Sequence, residues 1–164
     1  MTAPIARLAA SVAGALAQSG ADFEVIDCDP DLADTADFCR HYGYPADDCA
    51  NAILVRSKAG EPQYVLCVLL ATTRLDVNRV IRKRLGVRKA SFASGEETRA
   101  LTGMEIGGVT PIALPNDLPI WIDEAVTQRK RIILGAGIRD AKIITTPDFL
   151  LRGQGALAVP GLAY

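Results

Sequence analysis

Three groups of residues in this 164-residue chain could do chemistry, and each points to a different kind. The first is Cys28, Cys39, Cys49 and Cys67 with a single histidine, His41. No C-x-x-C pair occurs and the spacings do not converge, so a closed zinc site is not indicated and no metal is expected. Cys49 stands just before a predicted strand, where a nucleophile could sit, but no base is paired with it and packing is the simpler reading. There is no G-x-S-x-G elbow, and His41 falls on a predicted helix in an acidic stretch, so a hydrolytic triad has no support.

The second group is charge. Nine acids lie between Asp22 and Asp48 against Arg40 alone, whereas Arg74, Arg79, Arg82, Lys83, Arg84, Arg88 and Lys89 face only Asp76. One helix and its exit therefore form a basic face that can meet phosphates, with Arg79, Arg82, Lys83 and Arg84 as the candidate nucleic-acid contacts. A solvated helix face is the plain alternative. Aromatics are 5% of the chain and are not interleaved with these bases, which disfavours stacking on single strands.

The third group is glycine loops. In Gly107-Gly108-Val109-Thr110-Pro111 the glycines let a ligand approach the main chain, and Pro111 fixes the exit and biases Thr110 toward extended geometry. Such a loop presents amides and carbonyls to an amine or carbonyl group, although a plain turn reads equally well. Gly135-Ala136-Gly137 follows a predicted strand, but Asp140 stands where a dinucleotide loop needs its third glycine. A tight strand-to-strand turn that lines a pocket fits better.

The elements that must hold these groups are legible in outline. Ile5, Leu8, Val12 and Leu16 fall at helical spacing before Gly20. Phe23–Cys28 alternates as a strand, and Asp31–Tyr42 reads as a helix ended by Gly43. Ala52–Val55 and Tyr64–Leu70 flank Lys58–Pro62 as a hairpin. Asp76–Leu85 is a helix with Val77, Val80, Ile81 and Leu85 on one face, stopped by Gly86. Ser94 and Glu97 fit a capping box on a helix to about Leu101. Thr102–Pro119 is expected as a long loop carrying short strands, followed by strands at Trp121-Ile122, Arg131–Leu134 and Lys142–Thr145. Thr146-Pro147 opens a last short helix. From Arg152 onward no periodicity is visible, and residues 152–164 are expected to be a loosely held tail.

Hydrophobic residues are 49%, charged residues 23% and the formal net charge is −1, which suits a folded domain and excludes a polycation. The length favours one domain over residues 1–164, of mixed α+β class. The stretch Ala3–Ala17 is too weakly apolar for a signal or a membrane span, so a cytoplasmic protein without membrane contact is expected.

In their order these pieces resemble the YbaK family, the prolyl-tRNA-synthetase-associated editing domains, over roughly Ala3–Leu151. The residues that carry the resemblance are Cys49–Val55, Arg74-Leu75-Asp76-Val77-Asn78 leading to Leu85-Gly86, Ala90–Ser94, Leu101-Thr102-Gly103, Gly107–Pro111, Trp121–Glu124 and Leu134–Gly137. The resemblance implies a mostly antiparallel central sheet or partly closed barrel with surrounding helices. It also implies a trans-editing hydrolase that cleaves mischarged aminoacyl-tRNA, with alanine or cysteine on tRNA for proline, without metal or other cofactor. Its partners would be tRNA and prolyl-tRNA synthetase. The aminoacyl group would lie on Gly107, Gly108, Val109, Thr110 and Pro111, with Gly135 and Gly137 beside it. Water, or the thiol of a cysteinyl substrate, would attack the ester. Many members carry a lysine where this chain has Asn51. An amide orients a carbonyl or ribose hydroxyl but brings no charge. Asn51 is thus the candidate catalytic residue, and a non-catalytic tRNA- or amino-acid-binding module is the alternative.

Overall fold

The computed structural model describes residues 10–115, 117–152 and 155–164. The sequence predicts a helix beginning near Ile5; its first turns lie outside the described residues, and α1 runs Ala10–Ser19 with Val12 and Leu16 buried. The strand β1 (Phe23–Asp27) follows as expected. The predicted helix Asp31–Tyr42 is two pieces, a 3-10 turn Pro30–Leu32 and α2 (Thr35–Tyr42). The break has a local cause: Asp29 caps the first turn through its side chain, and Asp34 is extended (φ −64, ψ 136) as the N-cap of α2.

The hairpin β2 (Ala50–Ser57) and β3 (Tyr64–Leu70) forms in the expected place, antiparallel from Ala50↔Leu70 to Arg56↔Tyr64. The basic helix opens with a wider π-helical turn, Val77–Ile81, before α3 (Arg82–Leu85). Buried Asp76 sets this turn, its side chain accepting from Arg79 N–H and its carbonyl from Ile81 N–H. The short β4 (Ala90–Phe92) and α4 (Gly95–Thr102) follow, the latter with the reciprocal Ser94–Glu97 capping box. Short strands expected within Thr102–Pro119 are absent among the described residues; that segment is loop. The rest is β5 (Ile120–Asp123), α5 (Glu124–Thr127), β6 (Ile132–Gly135), β7 (Ala141–Thr145), a 3-10 turn Pro147–Arg152 and β8 (Ala156–Val159).

The described strands form two sheets, ordered β1-β7-β6 and β4-β2-β3-β5-β8. The first is antiparallel; the second is mixed, with β3, β5 and β8 parallel. A bridge between Cys49 and Ile133 joins the sheets, giving the partly closed mixed α+β architecture. The expectation of a loose tail is overturned. β8 pairs with β5, Leu162 is fully buried, and the Tyr164 backbone exchanges hydrogen bonds with Arg74 in both directions. The tail lacks periodicity because β8 is a short edge strand whose only burial comes from distant elements.

On β3, Val65, Cys67 and Leu69 face one cluster with Trp121, Val159 and the apolar side of the basic helix. Leu66, Val68 and Leu70 face the other side of the sheet, toward β6, β7 and the 102–119 loop. Alternation along one strand thus holds the basic helix on one face and the long loop near the other.

Candidate functional site

Between the two sheets lies a cavity of about 370 Å³, walled by β2, the start of α2, the 106–109 loop, β6 and Lys142. The cause is strand divergence. Among the described residues β2 meets β6 only through the bridge at Cys49, just before it, and pairs with β4 only from Val55 to Ser57. Cys49 accepts from Ala71 N–H and Ser57 donates to Gln63, so odd-numbered residues of β2 turn their backbone groups to β3 and even-numbered ones turn away. Leu54 on that outer edge still finds a partner, because its carbonyl accepts from Ala93 N–H at 2.9 Å. Ala52 lies between the two points of pairing, so its N–H and C=O look into the cavity. The alanines at 33, 50, 52 and 93 keep the walls low.

Asn51 lines this cavity, with its Oδ1 accepting from Thr35 Oγ1 at 2.6 Å. That bond fixes the amide plane and leaves the NH₂ end as a donor. Gly107 and Val109 line it too. Gly108, Thr110 and Pro111 do not. A side chain at Gly108 would run into the Ile138 backbone, and one at Gly135 would run into the carbonyls of Gly108 and Val109. The glycines therefore serve contact of main chain with main chain. Gly137 closes the same contact, donating its N–H to Gly108 O at 2.6 Å while its carbonyl accepts from Glu105. Thr110 is fully buried with its hydroxyl unpaired and its N–H on Met104 Sδ at 3.4 Å, so it supports the loop from beneath.

The tight seating of the loop brings Gly107 O within 3.0 Å of Lys142 Nζ. Lys142 lies opposite Gly135 in the β6–β7 ladder, and its ammonium also donates to Ala33 O at 2.7 Å. It is 6% exposed, and no carboxylate forms an ion pair with it among the described residues. Burial pulls its pKa below the ordinary lysine value. Lys142 escaped the sequence reading, which took it only as the start of a strand; the available signal was a lysine set among apolar residues in Ala141-Lys142-Ile143-Ile144. Asp34, Thr35 and Phe38 of the cavity were missed as well.

Arg56, near the end of β2, and Lys58, just past it, do not line the cavity. Arg56 pairs with Glu97 and lies over the Tyr64 ring. The Ser94 N–H, Tyr64 and Arg56 together hold the Glu97 carboxyl down at about 2. The cysteines are free thiols, and Cys39 Sγ lies 3.0 Å from Cys49 Sγ. Burial pushes the Cys49 thiol well up and the Cys67 thiol to about 12, which suits packing rather than nucleophilic attack. His41 is exposed against Tyr42.

Of the basic helix residues, Arg79 is bound to Asp76 at 2.8 Å and Arg84 lies over the Trp121 ring at 5.9 Å. Arg82 donates to the Asn78 carbonyl. The apolar side of this helix packs on the same cluster as Ile53, a residue of the cavity wall, and no residue of the basic helix lines the cavity. No described helix is long and apolar enough to cross a membrane.

A sequence model of the aminoacyl-tRNA editing domain matches residues 29–152. Over 88 residues the chain is 32% identical to the uncharacterized protein YwhH of Bacillus subtilis (strain 168), covering 54% of this chain and 55% of the relative. Over 99 residues it is 28% identical to EbsC of Enterococcus faecalis (strain ATCC 700802 / V583), named as a candidate Cys-tRNA(Pro)/Cys-tRNA(Cys) deacylase, covering 60% and 58%. The chain thus spans little more than half the length of these curated relatives. The crystal structure of a candidate trans-editing enzyme for prolyl-tRNA synthetase superposes with a TM-score of 0.77 at 25% identity over 96% of each chain. The hypothetical protein APE2540 shares the fold, with a TM-score of 0.82 at 23% identity over 94% of this chain and 99% of that one.

Proposed function

The chain belongs to the aminoacyl-tRNA editing domain family, and from that premise we propose that it is a trans-editing hydrolase acting on mischarged tRNA. The substrate is a small amino acid, alanine or cysteine, esterified to tRNA for proline, and the enzyme works in the cytoplasm beside prolyl-tRNA synthetase. The observation that carries this reading is the unpaired outer edge of β2 at Ala52, inside a small alanine-walled cavity beside Asn51. An open backbone edge offers a carbonyl to the substrate's ammonium and an N–H to its ester. The Asn51 amide, oriented by Thr35, donates to the ester carbonyl or to the ribose hydroxyl.

Water attacks the carbonyl carbon, the carbonyl π pair moves onto oxygen, and collapse expels the ribose oxygen, which takes the proton lost by the water. Chemistry of this kind asks for orientation and oxyanion stabilisation more than for a strong protein nucleophile. The basic helix, which carries Arg82, Lys83 and Arg84 exposed, would hold the RNA backbone.

Single-turnover deacylation of alanyl- and cysteinyl-tRNA for proline tests this. Wild type should hydrolyse at least one of them, and Asn51→Ala should lower kcat about 10-fold or more while raising KM less. Asn51→Lys should raise the rate or shift the preference between the two. A wild-type protein that binds the tRNA but hydrolyses neither substrate would be the binding module instead. The loop is better probed at Val109 than at Gly108, since any side chain at Gly108 strikes the Ile138 backbone and would confound folding with activity.

A further inference from the structure

We propose that Lys142 is the electrophilic group of the cavity, an ammonium clamped by two carbonyls with its remaining N–H turned to the carbonyl oxygen of the substrate's ester. The assignment rests on the ester-hydrolase reading above and names the residue that supplies its positive charge.

The argument begins with what burial demands. A buried ammonium is ordinarily paired with a carboxylate, because removing it from water is costly. Lys142 is 6% exposed and has no ion-paired carboxylate among the described residues; its hydrogen-bond partners are the carbonyls of Ala33 at 2.7 Å and Gly107 at 3.0 Å, and its ammonium lies over the Phe38 ring. The titratable groups that act on it are the Cys28 and Cys49 thiols, both kept neutral by burial, the Arg139 guanidinium and Asp34. Asp34 does not neutralise the ammonium, because its carboxylate is turned to Arg139 at 3.6 Å and is largely solvated. If the position only filled space beside Phe38, whose ring lies 5.7 Å from Nζ, methionine or leucine would serve without this burden.

The geometry then says where the charge acts. An ammonium has three N–H donors, and two are taken by carbonyls of two adjoining wall segments, one before α2 and one in the 106–109 loop. These two bonds fix Nζ, and the residue lines the same cavity as Asn51. The construction behind it is specific. Gly135 stands opposite Lys142 in the ladder without a side chain, so the Gly108 and Val109 carbonyls descend onto the sheet and Gly107 O comes within reach of Nζ. A positive donor in a water-poor site is worth most where negative charge develops, which here is the carbonyl oxygen of the tetrahedral intermediate. Lys142 keeps its proton throughout: it neither accepts the proton of the attacking water nor donates to the leaving ribose oxygen.

The test uses the full chain and whichever aminoacyl-tRNA wild type cleaves, with uncatalysed hydrolysis subtracted. Lys142→Met should lower the single-turnover rate at saturation by about 100-fold. Its affinity for a tRNA end carrying the same amino acid through a non-hydrolysable amide should stay within about threefold. Lys142→Arg keeps the charge without an accessible pKa, so its rate should persist at alkaline pH where the wild-type rate falls. A folded Lys142→Met protein with the wild-type rate overturns the assignment, and so does a loss matched by an equal loss of analogue binding. Should the methionine variant not fold, the arginine variant decides, and an alkaline limb unchanged from wild type overturns the proposal. In both cases the hydrolase reading survives. If wild type itself cleaves no aminoacyl ester, that reading and this assignment fall together.

Discussion

Asp48 and Lys142 are both buried charges, both held by partners far away in the chain, and they are held in opposite ways. Asp48, on the turn before β2, is met by Arg129 at 2.6 Å and Arg131 at 3.1 Å. Their guanidinium groups hold its carboxyl below the ordinary aspartate range. Lys142 forms no ion pair among the described residues and is held by two carbonyls, with its ammonium over the Phe38 ring. The first arrangement is complete: it pins the β2 entry to the β6 entry, beside the Cys49–Ile133 bridge that joins the sheets. The second is left without a counter-charge, and on the proposal above the negative charge that answers it develops on the substrate's carbonyl oxygen during reaction. A buried charge answered within the protein organises the fold, whereas one left facing a cavity is available for chemistry.

The largest expected effect separates these two on stability. Asp48→Ala should lower the unfolding free energy by about 3 kcal/mol, toward the low end for a broken buried pair because both arginines stay half solvated. The rate per folded molecule should stay within about threefold. Lys142→Met should do the reverse, with stability equal to or above wild type and activity lost. Urea unfolding of both variants checks this, and the contrast collapses if Lys142→Met unfolds as readily as Asp48→Ala.

Stability against pH sharpens the same contrast. The Asp48 carboxyl titrates lower in the folded than in the unfolded chain, so its stabilisation is present above about pH 4 and is lost as pH falls through the folded value. The Lys142 ammonium also titrates lower when folded. Just below its ordinary value of 10.5 the unfolded chain therefore holds more protons, and stability rises with pH across that window. Asp48→Ala should flatten the acid slope and Lys142→Met should flatten the alkaline rise. Urea midpoints measured through both windows would show it, and unchanged slopes would return both charges to ordinary surface behaviour.

What the sequence disclosed divides along similar lines. The β2–β3 hairpin, the Ser94–Glu97 capping box and the glycine stop after Leu85 depend on neighbours a few residues apart, and all were legible. Asn51 was found through the resemblance, and the structure places it on the cavity wall. Lys142 was missed because its surroundings are assembled from Ala33 and Gly107, 109 and 35 residues away, and nothing local marks a strand lysine as buried. Of the Gly107–Pro111 segment only Gly107 and Val109 reach the cavity wall, and its Gly108, like Gly135 on β6, admits neighbouring main chain. The β8 edge was read as tail because four residues flanked by glycines carry too short an alternation to show a period.

The smallest expected effect extends the comparison to the basic helix, where the same distinction between answered and unanswered charge applies at the surface. Arg79 gives its guanidinium to buried Asp76 through two nitrogens, at 3.0 and 2.8 Å, and that carboxylate also caps the π-helical turn. Lys83 stands exposed beside it with no ion pair among the described residues. A phosphate approaching Lys83 displaces counterions, whereas at Arg79 it must compete with a carboxylate already in place. Lys83→Ala should therefore reduce the slope of log affinity for tRNA against log salt by about one unit. Arg79→Ala should change it by about half a unit or less, and Arg84, whose charge lies over Trp121 without a carboxylate, should behave like Lys83. The slopes come from equilibrium binding of uncharged tRNA over a range of salt concentrations. Equal slopes for Arg79→Ala and Lys83→Ala would mean that the Asp76 pair opens on binding, and unchanged slopes in all three variants would return the helix to a solvated face.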